Sequence, residues 1–326
     1  MKLKNIVWLA LLAMGTFSGC QSKSTTASHP SFNADSAYQY ISNQMAFGPR
    51  VPNSDEHNRC AVYLMQQARR FGGRIEMQKG QMLDYAGQIQ TVYNIIAHCN
   101  TQAPGKTVLL CAHYDTRPWC DQEEEYEDRQ YPVPGANDGA SGVGVLLEVM
   151  RQIQILSQDS TLHLPPVDII FFDAEDKGTP AHYTGVERDN TWCLGSQFWA
   201  RELSDQHANQ YAYGILLDMV GAPDAVFPKE MHSSRYAGNY LEKVWRKARQ
   251  LGYGKYFVEN PAYPIVDDHY YVNVYGGVPC IDIIHYDART QSGFPEWWHT
   301  RQDDMTHIHK PTLQAVGEVV LATLLD

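Results

Sequence analysis

Short apolar runs of strand length alternate with longer stretches of helical spacing along most of this chain. Val167 to Phe172 (VDIIFF) has five apolar residues in six, and TVLLCA (107–112), GILLDMV (214–220) and VPCIDII (278–284) are of the same kind. Runs like these predict strands buried on both faces of a sheet. Thr91 to His98 reads as a further strand and Arg74 to Gln78 as a weaker one. Helical spacing covers 32–45, ending before Gly48-Pro49. It recurs after Asn53 or Ser54, through Cys60, Ala61, Leu64, Met65 and Ala68 to the stop at Gly72-Gly73. Helices are also predicted over 139–156, 194–203 and about 236–251, and a last one follows Pro311, a good first-turn residue. Strands alternating with helices at this spacing predict an α/β fold, a three-layer sandwich with a central, mostly parallel sheet flanked by helices.

The ends of the predicted strands are where the pattern departs from a plain core. VDIIFF runs into Asp173, Glu175 and Asp176, and carboxylates at the end of a buried strand are costly unless something cationic meets them. His113 and Asp115 follow TVLLCA, Asn137 and Asp138 precede the helix at 139, GILLDMV contains Asp218, and the last strand leads to His299 in WWHT (297–300). Each alone reads as an ordinary turn or structural residue. Five sites at corresponding strand ends of one sheet define a ligand pocket, and carboxylate with imidazole is a zinc-type ligand set. The long loop between His113 and Asp138, rich in Pro, Gly and charge, is of a length usually kept for function or left disordered; its acidic stretch 123–128 reads as a solvated turn.

Composition changes the picture at two points. Residues 1–19 pair Lys2 and Lys4 with an apolar run from Ile6 to Met14, too short for a bilayer-spanning helix and flanked like a cleaved export signal. Small residues before Cys20 resemble a bacterial lipoprotein signal, with Cys20 lipidated, a Ser/Thr-rich tether over 20–31 and one catalytic domain over 32–326. The expected address is a lipid anchor on a bacterial membrane facing the periplasm. Removing Lys2 and Lys4 from the 26 basic residues leaves 24 against 37 acidic, a net charge of −13. With no basic patch, nucleic acid is excluded as a partner, and the domain is expected to act as a monomer. The remaining six cysteines show no CxxC spacing, and several sit in apolar runs as core thiols.

The ordered segments HYD, GANDGASG, FFDAED, LLDMVGAP and FPEWWHT resemble the zinc aminopeptidase and glutaminyl cyclase superfamily, from about Gly48 to the C-terminus. Gly221-Ala222-Pro223 with Phe227, Phe294-Pro295 before Trp298-His299, and Asp267-Asp268-His269 are similar to the animal-type glutaminyl-peptide cyclotransferases. GANDGASG (135–142) looks like the aminopeptidase form. The cyclase resemblance implies one zinc ion on Asp138, Asp176 and His299, with Asp176 standing where that family usually has Glu. It implies Glu175 as proton shuttle with Asp218 and Asp267 as its partners, Trp298 as a substrate wall and Trp192 as a weaker second wall. The implied substrates are peptides and proteins with N-terminal glutamine. The alternative is a two-zinc aminopeptidase, whose second ion would use His113 and Asp218 with Asp138 bridging.

Overall fold

The computed structural model describes residues 31–326 except residue 187; the predicted signal, Cys20 and nearly all of the tether lie outside the described residues. The chain opens with helices α1 (Ala34–Met45) and α2 (Asp55–Arg70). Of the two possible caps for α2, Ser54 takes the role, its side chain accepting from the His57 amide. Strands β1 (Arg74–Leu83), β2 (Ile89–Cys99) and β3 (Thr107–His113) follow, then α3 (Ala140–Leu156), β4 (Val167–Phe172), α4 (Leu194–Glu202), the short α5 (Asp205–Ala208) and β5 (Tyr211–Asp218). The chain continues through β6 (Phe227–Lys229), α6 (Met231–Gln250), β7 (Phe257–Pro261), α7 (Asp268–Val274), β8 (Cys280–Ile284) and α8 (Lys310–Leu324).

Six strands form one sheet in the order β1-β2-β4-β3-β5-β8. The last four are parallel, and β1 and β2 add an antiparallel edge. Alternate residues of the parallel strands enter two separate cores, which is why these strands read as continuous apolar runs. Leu110, Ala112, Ile169, Phe171, Ile215 and Leu217 pack on the face covered by α1, α3, α6 and α8. Leu109, Cys111, Ile170, Phe172 and Leu216 pack on the other, with Trp199 of α4 and Val272 of α7. Three layers result, as the spacing predicts. Asp168, the one polar residue inside the β4 run, accepts from Tyr211 Oη and pairs with His98 Nδ1, each at 2.7 Å, so its burial is compensated.

The differences are local. The weak strand at Arg74 extends to Leu83 because it pairs along its whole length with β2. Helix α6 starts at Met231 rather than near Tyr236, since Glu230 caps it by accepting from the amides of His232 and Ser233. The pair β6 and β7 and helix α7 were not predicted; each is too short to show a period. The six described cysteines are free and buried, as core thiols are.

Candidate metal centre and substrate cleft

The four parallel strands end on one side of the sheet, and their C-terminal residues converge there. His113 closes β3, Asp218 closes β5, and Asp173 to Asp176 follow β4. Asp138 precedes α3, and His299 arrives on the long loop after β8, in the left-handed region at φ 56°. All five candidate ligands, His113, Asp138, Asp176, Asp218 and His299, are buried.

Asp138 stands between two imidazoles. Its Oδ1 lies 3.0 Å from His113 Nε2, and its Oδ2 3.4 Å from His299 Nε2. His299 Nε2 is 3.2 Å from Asp176 Oδ1, and His113 Nε2 is 3.3 Å from Asp218 Oδ1. Two ligands of a tetrahedral zinc, each about 2.0–2.1 Å from the ion, are about 3.3 Å apart; three of these four spacings fall near that value. Both carboxylate oxygens of Asp176 are buried with no hydrogen-bond partner, a state that a bound cation relieves. The electrostatics agree. Burial works against charged imidazoles, yet Asp176, Asp121 and Asp138 together push His299 up to about 10. His113 is likewise driven well above its ordinary range by Asp115, Asp138 and Asp218, against its burial. The donor set demands positive charge and fits zinc: Asp138, Asp176 and His299 as one triad, and His113, Asp138 and Asp218 as a second sharing Asp138.

A shell of backbone ties fixes these ligands. Asp115 accepts from the amides of Glu175 (3.1 Å) and Asp176 (3.2 Å), drawing that turn toward β3. Ala174, at φ 52°, makes the turn. Held this way, the shorter aspartate at 176 still reaches His299. Asp303 accepts from the amides of Asn137 (2.8 Å) and Asp138 (3.0 Å), joining the loop after His299 to the loop before α3. Asp173, for which the sequence offers no role, accepts from His57 Nε2 and the Tyr93 amide, each at 2.8 Å, and so anchors the turn to α2 and β2.

Two residues of the long loop that no sequence pattern singles out also reach the candidate ligands. Asp121 Oδ1 is 3.5 Å from His299 Nδ1, the ring nitrogen facing away from the ligand group. Arg117 donates to both Asp121 oxygens, at 2.9 and 2.5 Å, and its Nη1 is 3.5 Å from Asp176 Oδ1. Despite burial, His299 and Arg117 hold Asp121 well below the usual carboxylate range, so it stays ionised. The one available signal was an Arg and an Asp four residues apart between two ligand-bearing segments. A carboxylate behind a ligating histidine fixes its tautomer and raises its basicity. Asp121→Asn is therefore expected to weaken zinc affinity about 10- to 100-fold, measured by competition with a metallochromic chelator; unchanged affinity would remove Asp121 from this role.

Above the ligands opens a cleft of about 490 Å³, lined by Glu175, Asp267, Trp192, Trp298, Phe294 and the exposed rim residue Tyr263, among others. The Trp298 ring stacks on His299 at 3.6 Å, and Trp192 lies parallel to the same imidazole at 6.3 Å. Both indoles are half-buried and face the cleft. Burial first, then the charges of Asp176 and Asp267, pushes the Glu175 carboxyl well above its ordinary range, with His113 opposing. Burial and the charge of Asp218 push Asp267 up to about 7. A carboxyl shifted toward neutrality can take a proton and return it. The structure thus gathers Glu175, Asp218, Asp267, Trp192 and Trp298 around the candidate ligands.

The pattern of peptidase family M28 matches residues 94–324. The chain belongs to this family. A curated glutaminyl-peptide cyclotransferase of Boiga irregularis is 29% identical over 73% of this chain, which spans 66% of that relative's length, just under two thirds. Among solved structures, the Tannerella forsythia glutaminyl cyclase is 47% identical, with a TM-score of 0.85 over 91% of this chain and 99% of that one. A Zn-dependent exopeptidase from Parabacteroides distasonis is 45% identical with the same TM-score and coverage.

Proposed function

We propose that this protein converts the N-terminal glutamine of peptides and proteins to pyroglutamate, releasing ammonia, with one zinc ion on Asp138, Asp176 and His299. The observation that carries this reading is the cleft itself, in which two indoles and a proton-carrying carboxyl surround one ligand triad. The likeness to glutaminyl cyclases supports it.

The α-amine of the substrate attacks the carbon of its own γ-amide; a C–N bond forms, the bond to the amide nitrogen breaks, and ammonia leaves. Zinc, when bound, supplies Lewis-acid polarisation of that carbonyl. Glu175 takes a proton from the attacking amine and delivers it to the departing nitrogen, so one carboxyl serves both halves of the reaction. Asp218 and Asp267 set the field in which Glu175 exchanges that proton. Trp192 and Trp298 fold the glutamine side chain back on its amine; such orientation is worth up to about 7–11 kcal/mol in favourable cases. No nucleophilic water is required.

A two-zinc aminopeptidase is the second reading, favoured by the triad His113, Asp138 and Asp218. Offering a Gln-initiated and a Leu-initiated peptide to the purified protein separates the two. Ammonia release and loss of the free amine from the first, with about one zinc per chain, is the expected result. Free leucine from the second, with about two zinc ions, would overturn it. We place this activity on a chain tethered through a lipid at Cys20 and facing the periplasm, where signal cleavage exposes new N-termini; the signal-like pattern of 1–19 supports that address.

A further inference from the structure

Directly behind Glu175 lies a residue the reaction as written does not use. Cys193 is fully buried and sits at the start of α4, where its Sγ donates to Glu175 Oε1 at 3.2 Å. Its backbone is in the left-handed region, φ 54° and ψ 41°, a conformation that favours glycine and is strained for a residue with a side chain. Such strain persists where surrounding structure enforces it, and it gathers at functional sites. Here the enforcement is visible. The amides of Cys193, Leu194 and Gly195 donate in succession to the carbonyls of Glu175 (2.8 Å), Ala174 (3.0 Å) and Asp173 (2.9 Å). Three consecutive bonds thus bind the start of α4 to the turn that carries Glu175 and Asp176. Gly195 permits the approach, since a Cβ there would meet the Asp173 carbonyl oxygen at 2.3 Å.

We propose that Cys193 is a positioning residue for this reaction, its thiol fixing the Glu175 carboxyl in the orientation from which it exchanges protons with the substrate. The proposal rests on the reading of Glu175 as the proton carrier. Glutamate has three side-chain torsions, and freezing them costs entropy that a bond to the end of the chain offsets. The clamp fixes the backbone of Glu175, and the thiol holds its carboxyl. Burial, and next the charge of Glu175, hold the Cys193 thiol well above its ordinary pKa, so it remains a donor. The neighbouring Trp192 belongs to the same segment, so one stretch of chain sets both the wall and the proton carrier.

The test compares Cys193→Ala and Cys193→Ser in the zinc-loaded full chain. Cys193→Ala is expected to lower kcat about 10-fold, the scale of one lost hydrogen bond, with KM and zinc content unchanged. Cys193→Ser, which restores a donor, recovers part of that loss. In a Glu175→Asp background, where the carboxyl is one methylene short of the thiol, Cys193→Ala adds no further loss. Wild-type kcat in Cys193→Ala overturns the proposal, as do equal losses in the alanine and serine variants or an additive loss in the aspartate background. Should Glu175→Gln keep normal turnover, the reading of Glu175 itself fails; a dead Glu175→Gln beside a fully active Cys193→Ala refutes only the role of the thiol.

Discussion

Glu175→Gln is expected to lower kcat for a Gln-initiated peptide by about 10²–10⁴-fold, the range contributed by a positioned acid–base group, while the bound zinc stays at the wild-type level. The substitution keeps size and shape, and the amide oxygen still accepts from Cys193, so the turn has no reason to move. What disappears is the capacity to take a proton from the amine and pass it on. Glu175 is not a member of the triad Asp138, Asp176 and His299, so metal content and turnover should separate. Ammonia release with metal analysis reads both; near-normal kcat would remove Glu175 from the mechanism.

Removal of zinc with a chelator is expected to abolish turnover and to lower the melting temperature. Asp138, Asp176 and Asp218 are all buried, and neither oxygen of Asp176 has a hydrogen-bond partner. Folding places these carboxylates together at a cost that a cation offsets. Zinc at 1,000 times its Kd stabilises the native state by about 4 kcal/mol, and for a domain of this size each kcal/mol is worth about 2 °C, so a fall of about 8 °C is anticipated. Asp138→Asn should reproduce the loss of turnover even with zinc supplied, because Asp138 is shared by both triads. A chelated protein with unchanged activity and melting temperature would refute the metal centre.

The architecture was legible because the parallel strands are buried on both faces and therefore stand out as unbroken apolar runs. The candidate site was legible for a related reason: polar residues at the ends of such strands interrupt an apolar pattern, as Asp218 does in GILLDMV. Asp121 and Arg117 were not. They lie in a loop without periodicity, and their role exists only through His299, which is far away in sequence. Cys193 was hidden differently, since a buried thiol in the sequence looks like any core cysteine and only its contact with Glu175 sets it apart. Asp173 and Asp303 act on backbone amides, a partnership that no side-chain pattern announces.

Asp303 carries a consequence for turnover. By gripping the amides of both Asn137 and Asp138, it welds the loop that delivers His299 to the loop that delivers Asp138. Asn137 extends the weld, its Oδ1 accepting from the Gly221 amide beyond β5 at 2.7 Å. The floor of the cleft is braced by these bonds, so admitting substrate or releasing product by spreading the ligands would mean breaking them. Whatever yields during the catalytic cycle belongs to the rim, where Tyr263, Val266 and Gln291 stand exposed.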